Sequence, residues 1–287
     1  MKADRSHLSS HIDFLTELRP FRNYQNLESL EKVCVYLSEC FQSYGFSVER
    51  QVFSVNRQKY SNILASYQAE LPKRLIVGAH YDVCGDQPGA DDNASAVTGL
   101  LECARLISEQ QPDLAYGVDF VSYCLEEPPF FGTEDMGSYH HASSISAKRE
   151  QILGVINFEM IGYYHDGPQP YPDETFKRVY PEQANFVAVV GIERFHEFNQ
   201  IVYERMKGIA NIDVQMIDDP RVENLASLSD QLSYWEFGIP ALMINDTSFL
   251  RNPNYHQPTD TADTLNLDAM AEVIQSVYHA ITHMPMT

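Results

Sequence analysis

The stretch GAHYDVCGDQPGADDNASAV (residues 78–97) holds His80, Asp82, Asp86, Asp91 and Asp92 between an apolar run and an amphipathic one. That order reads as strand, loop and helix, and open α/β sheets hold ligands in loops at the carboxyl ends of their strands. Downstream, Glu126-Glu127, Glu159 and His256 also fall at predicted strand ends or in the loops just after them. His80, Asp91, Glu127, Glu159 and His256 are therefore the candidate metal ligands, since imidazole and carboxylate suit zinc or another divalent first-row ion. Five are too many for one closed tetrahedral site. They suit two ions that share a carboxylate, an arrangement that can clamp both the attacking and the leaving oxygen of a hydrolysis. Each residue also has a plainer reading. Asp92 and Asn93 can be helix caps, and the glutamate pair can be solvated loop charge. Against that, two adjacent glutamates close a buried apolar strand, where an unpaired carboxylate is costly. Asp86 reads as a turn residue.

The elements that must position these side chains follow from hydrophobic period. Helices are expected at 7–18, 27–44, 94–108, 192–207, 230–237 and 267–283, with Asn26 and Asn93 as N-caps. Strands are expected at 46–55, 60–67, 74–78, 118–125, 152–158, 186–190, 212–217 and 240–244, the first two paired with each other. Runs such as 118–125 are apolar throughout, which suits strands buried on both faces. The alternation predicts a single α/β domain over residues 1–287, with helices on both faces of the sheet. An irregular Pro- and Tyr-rich insert at 163–182 interrupts it. Loops of that length tend to be functional, so a part in a substrate pocket is weighed against a structural wrap.

The chain has 287 residues, with 20 Lys and Arg against 40 Asp and Glu, for a formal charge of −20. Such a surface disfavours nucleic acid and anionic membranes, and favours neutral or cationic substrates and bound cations. Five cysteines with no CxxC spacing argue for free thiols and, by default, a cytoplasmic setting. A secreted or periplasmic mature form is also compatible with the sequence. No segment reaches ~18 uninterrupted apolar residues, so no membrane span is expected.

The segments GAHYD (78–82), PGADDNAS (88–95), LEEPPFFGTEDMGS (125–138), NFEMIGYY (157–164), SDQLSYWEFGIPAL (229–242) and NYHQPTDTADTL (254–265) together resemble the M28 family of metallo-aminopeptidases. That group includes leucyl aminopeptidases and glutaminyl cyclases. The resemblance implies a mixed, mostly parallel sheet of the zinc exopeptidase kind and two zinc ions, with cobalt or manganese also acceptable to these ligands. By position, His80, Asp91 and Glu159 would hold one ion, and Asp91, Glu127 and His256 the other, with Asp91 as the bridge. Glu126 would be the general base and acid. Asp82 would orient the His80 ring, and Asp92 would follow the bridge through a strained peptide bond. Asp230 matches an acidic position near the site. Adjacent side chains in extended backbone face opposite ways, which fits one glutamate as base and its neighbour as ligand. Three departures from the family pattern stand out: Glu159 in place of Asp, Ala96 in place of Gly, and Pro128-Pro129 after the glutamate pair.

The leading function is an aminopeptidase acting on peptides with a free N-terminus. The alternatives are a glutaminyl-peptide cyclotransferase on the same fold and a non-catalytic binding module. His7 with His11, and His279 with His283, have helical i, i+4 spacing but no glutamate between them as in HExxH, so they are set aside as ligands. His140-His141 reads as the start of a surface helix. No G-x-S-x-G, P-loop or G-x-G-x-x-G occurs, which disfavours a serine hydrolase or a nucleotide enzyme.

Overall fold

The computed structural model describes residues 2–285. Two helices come first, α1 (Arg5–Glu17) and α2 (Leu27–Ser43). An antiparallel hairpin follows, β1 (Ser47–Val55) and β2 (Gln58–Tyr67), and then β3 (Arg74–His80), α3 (Ala96–Gln110), β4 (Gly117–Tyr123), α4 (Gly137–Ile145) and β5 (Ile152–Glu159). The chain continues through β6 (Phe186–Val190), α5 (His196–Met206), β7 (Asp213–Ile217), the short α6 (Glu223–Ala226), α7 (Gln231–Glu236), β8 (Ala241–Asn245) and α8 (Leu267–Thr282). Helix and strand thus alternate as their hydrophobic periods predict, with ends shifted by a few residues.

All eight strands form one mixed sheet in the order β1-β2-β4-β3-β5-β8-β6-β7. Its four central strands, β4, β3, β5 and β8, run parallel to one another. Antiparallel pairings join β1 to β2, β2 to β4 and β6 to β8. The central strands are apolar because both faces are covered. Along β3, Leu75, Val77 and Ala79 enter one core with residues of α1, α2, α3 and α8, while Ile76 enters the other core with Val121, Val155 and Tyr234. This period of two fixes which side chains face which layer, and a one-residue slip would turn every one of them over. Parallel central strands also bring four carboxyl ends to one edge of the sheet, above which the candidate ligands lie. Among the described residues, no helix is long and apolar enough to cross a membrane.

Several local expectations are corrected. Asn26 stands at the N-cap of α2 but makes no capping bond with its side chain, which donates to Phe21 O instead. Helix α3 begins at Ala96, and Asn93 is not its cap. The Asp92–Asn93 peptide is cis, and the Asn93 side chain accepts from Met160 N and donates to Glu159 Oε2. His141 does not begin a surface helix: it is buried inside α4, with Nδ1 2.6 Å from the Tyr234 hydroxyl. The 163–182 insert is a tied strap. Pro168 bridges Gln183, Gln169 donates to Thr247 Oγ1, Arg251 donates to Gln169 Oε1, and Arg221 donates to Thr175 Oγ1.

Candidate metal centre

His80 is the last residue of β3 and is fully buried. Its neighbours β4 and β5 deliver Glu126-Glu127 and Glu159 at the same edge. His256 arrives from the loop between β8 and α8, with a quarter of its side chain exposed. Backbone strain accompanies three of these deliveries. Leu125, Met160 and His256 have φ values of 65°, 46° and 56°, a left-handed region that non-glycine residues seldom adopt. Such strain persists only where surrounding contacts hold it, and it gathers at functional sites.

Asp92 joins the two imidazoles. Its Oδ1 lies 3.5 Å from His80 Nε2, and its Oδ2 lies 3.1 Å from His256 Nε2. Glu159 Oε2 lies 3.3 Å from His80 Nε2, and Glu127 Oε2 lies 3.1 Å from His256 Nε2. Glu126 Oε2 stands 3.7 Å from His80 Nε2. Ligand-type atoms of His80, Asp92 and Glu127 all fall within 4.8 Å of one another, as do those of Cys84, Glu127 and His256.

Of the five ligands expected from sequence, His80, Glu127, Glu159 and His256 converge, and Asp91 does not. The Asp91 carboxylate turns away and accepts from Gly162 N at 2.8 Å and from Asn252 Nδ2 at 2.7 Å. Asp92 takes its place between the histidines. The reason is local: Asp92 has extended torsions (φ −104°, ψ 89°), so neighbouring side chains point to opposite sides. The phase is set by Asp260, whose two oxygens accept from Asp91 N (2.9 Å) and Asp92 N (3.1 Å). Gly89 makes the turn possible. Its φ is +61°, and a Cβ there would lie 2.3 Å from Asp92 O.

Asp82 sits behind His80, with Oδ1 3.6 Å from Nδ1, too long for a formed hydrogen bond. Its clearer contacts are to the backbone, where its two oxygens accept from Glu126 N and Glu127 N at 3.2 Å each. Asp82 thus ties the β3 loop to the glutamate pair. Asp230 is fully buried, and neither of its oxygens has a hydrogen-bond partner among the described residues. Burial pushes its carboxyl up to about 7. Asp86 is exposed, as a turn residue should be.

Two supports escaped the sequence reading. One is Asp260, within the motif that carries His256. The other is Arg22, a fully buried arginine whose guanidinium donates to Tyr81 O, Leu15 O, Pro88 O and Gly89 O. It holds both ends of the 81–89 loop. Arg22 lies 58 positions before His80, in a segment without motif, so only burial of its charge reveals it.

The crevice concentrates charge away from water. Burial opposes a charge on His80, but Glu126 and Glu159 override it and hold the imidazolium well above the ordinary range. Burial likewise opposes a charge on His256, yet Asp92 and Glu127 raise it to about 10. Burial holds the Glu126 carboxyl well above its usual range, with His80 counteracting, and pushes Glu127 up to about 8 with help from Asp92. Asp92 lies below its ordinary value, because the two histidines outweigh its burial. Four atoms test the fit of these residues to a divalent ion: His80 Nδ1 and Nε2, Glu127 Oε1 and His256 Nε2 are buried without a hydrogen-bond partner among the described residues. Buried polar atoms seldom stay unsatisfied, and metal ligation is one of the few ways to satisfy an imidazole Nε2 facing carboxylates.

Beside Glu159 opens a mainly apolar pocket. Tyr171 and Phe176 of the strap, Val190, Leu225, Met243 and Tyr255, the residue before His256, line it. The strap thus both ties down the surface and lines a pocket beside Glu159.

A profile of peptidase family M28 matches residues 62–281. By sequence the chain is 39% identical to YfbL of Escherichia coli strain K12 over 287 residues, or 96% of this chain and 87% of that one. Its fold is similar to the LapA aminopeptidase of Legionella pneumophila, with TM-score 0.77 and 20% identity over 98% of this chain and 72% of that one. It is similar too to a glutaminyl cyclase of Bacteroides thetaiotaomicron, with TM-score 0.75 and 20% identity over 99% of both chains. Fold and crevice together define a metallopeptidase-like enzyme, with the general character of a metal-dependent exopeptidase. The chain belongs to peptidase family M28.

Proposed function

We propose that this protein is an aminopeptidase that uses two divalent ions, zinc by preference, to remove apolar N-terminal residues from peptides. In this reading His80, Glu159 and Asp92 hold one ion, and His256, Glu127 and Asp92 hold the other. The single observation that carries it is the placement of the two Asp92 oxygens, one toward each histidine. Two ions bound there would supply Lewis acidity to the scissile carbonyl and acidify the attacking water. The remaining work falls to side chains. Glu126 is buried, has a raised pKa and among the described residues pairs with no cationic side chain but His80, so it is suited to take a proton from water and pass it to the leaving amine. Asp82 fixes the Glu126 backbone. The apolar pocket beside Glu159 receives the side chain of the N-terminal residue, and the acidic crevice attracts its ammonium group.

The test is metal content per chain together with a panel of leucyl-, phenylalanyl-, lysyl- and glutaminyl-arylamides and free-amine peptides. Two ions per chain and release of apolar residues are expected. Glutaminyl peptides closing to a ring with loss of ammonia, and no amino acid released, would replace this reading with the cyclase one. Inertness toward every substrate at full metal loading would favour a binding module.

A further inference from the structure

We propose that Gln169, gripped by the Arg251 guanidinium, is a positioning residue that sets the width of the apolar pocket beside Glu159 and so decides which N-terminal side chains fit it. The assignment rests on the aminopeptidase reading and adds a specificity-determining position to it. Two walls of that pocket come from segments far apart in sequence. Tyr171 and Phe176 belong to the strap, whereas residues 247–250 belong to the turn after β8 that leads on to His256. Gln169 joins them. Its Nε2 donates to Thr247 Oγ1 at 2.9 Å and to Pro170 O at 2.8 Å, and its Oε1 accepts from Arg251 Nε at 2.8 Å. Gln169 lines the pocket and is 2% exposed, yet both of its amide hydrogens and its carbonyl are already engaged. It has no donor left to offer a substrate, so its part is to hold the walls.

Arg251 makes the link firm. Its guanidinium is buried and donates through Nη1 to Phe186 O at 3.0 Å and to Tyr163 O at 3.4 Å. It also lies over the rings of Phe186 and Tyr164, 4.7 and 5.3 Å from their centroids. One cation thus holds the strap at its start, at Gln169, and where the chain rejoins the sheet at β6. Hydrogen bonds from a charged donor are about twice as strong as neutral ones, and a buried guanidinium is costly to leave unpaired. The opposite wall is pinned as well. Thr247 and Ser248 have φ values of 82° and 46°, and Asp246 accepts from Ser248 N on that wall and from Tyr163 N on the strap. Strained backbone of this kind keeps its shape only while such contacts hold it. Cutting the Gln169 link frees the strap wall to move outward. That costs a large apolar side chain its contacts on one side and costs the methyl of alanine little.

The experiment measures kcat and KM of the metal-loaded full chain on leucyl- and alanyl-arylamides. Gln169→Leu keeps the volume and loses all three hydrogen bonds. It should lower the leucyl-to-alanyl ratio of kcat/KM roughly 10-fold, through a higher KM for the leucyl substrate. Gln169→Glu keeps an acceptor for Arg251 and should recover most of the ratio. Arg251→Lys cannot reproduce the planar fork and should move the ratio in the same direction as Gln169→Leu. It also reads the ratio should Gln169→Leu fail to fold. Lys177→Ala, at an exposed strap position where the partner is Glu174, should leave the ratio as in wild type. A ratio unchanged in Gln169→Leu and Arg251→Lys, or a fall in kcat common to both substrates with KM unmoved, is what a merely structural role would give. Either would overturn the assignment and leave the aminopeptidase reading standing. A wild type that releases no amino acid, or releases alanine as readily as leucine, would overturn the apolar-pocket reading and this assignment together.

Discussion

The two histidines of the crevice reach it in different ways. His80 ends a strand hydrogen-bonded on both sides, is wholly buried, and is ringed by Asp82, Asp92, Glu126 and Glu159. His256 sits on a loop in a left-handed conformation, stacked on Tyr255 with ring centroids 3.8 Å apart, and is partly open to solvent. Strand register positions one imidazole, and local strain with stacking positions the other. The first is enclosed, with Glu126 Oε2 3.7 Å from its Nε2. The second reaches in from its loop to the glutamate of another, with Nε2 3.1 Å from Glu127 Oε2.

The largest expected effect separates the base from the ligands. Glu126→Gln should lower kcat by about 10²–10⁴-fold with metal content unchanged, since it removes proton transfer only. Steady-state kinetics and metal analysis on the same sample check this, and loss of metal would make Glu126 a ligand instead. Next comes the aspartate pair. Asp92→Asn should lose metal and activity together. Asp91→Asn should keep both ions and lower stability by roughly 1–3 kcal/mol, because buried backbone and side-chain donors lose a charged acceptor. Metal analysis and denaturant unfolding distinguish them, and the reverse pattern would restore Asp91 as the bridge.

The histidines themselves give the third contrast. Added imidazole should restore part of the activity of His256→Gly, because that side opens to solvent. It should not restore His80→Gly, whose space is sealed. Equal rescue of both would erase the distinction between the two sides. The smallest effect compares His80 with another buried imidazole, His141. Carboxylates raise the pKa of His80, whereas burial alone depresses His141 to about 4. A depressed histidine stabilises the fold fully above its unfolded value near ~6.5 and loses that contribution as pH falls toward its folded value. Wild type should therefore lose about 2 kcal/mol more than His141→Gln between pH 7.5 and pH 5, measured by urea unfolding at each pH.

Much of the fold is legible in the amino-acid order because strands and helices have different periods, and β3, β4, β5 and β8 are each bounded by turn chemistry. The chemical edge is legible for the same reason. His80, Glu126, Glu127 and Glu159 sit where apolar runs stop, and charge at such a place is expensive without a partner. Other features have no local signal. Arg22 and Asp260 belong to no periodic pattern near the crevice residues they support, and they come together only when the segment between α1 and α2, the 81–89 loop and the segment before α8 pack around one crevice.

The choice between Asp91 and Asp92 marks the boundary. The sequence by itself determined that an aspartate from the turn after β3 belongs with the two histidines, because strand, Gly-flanked loop and helix must follow one another there. Only the tertiary structure decided which aspartate. Adjacent carboxylates in extended backbone face opposite ways, and a carboxylate 168 residues further on, Asp260, binds both backbone amides and sets the phase that turns Asp92 inward. A neighbour so distant in sequence cannot be read from local pattern, since it acts through folded contact alone.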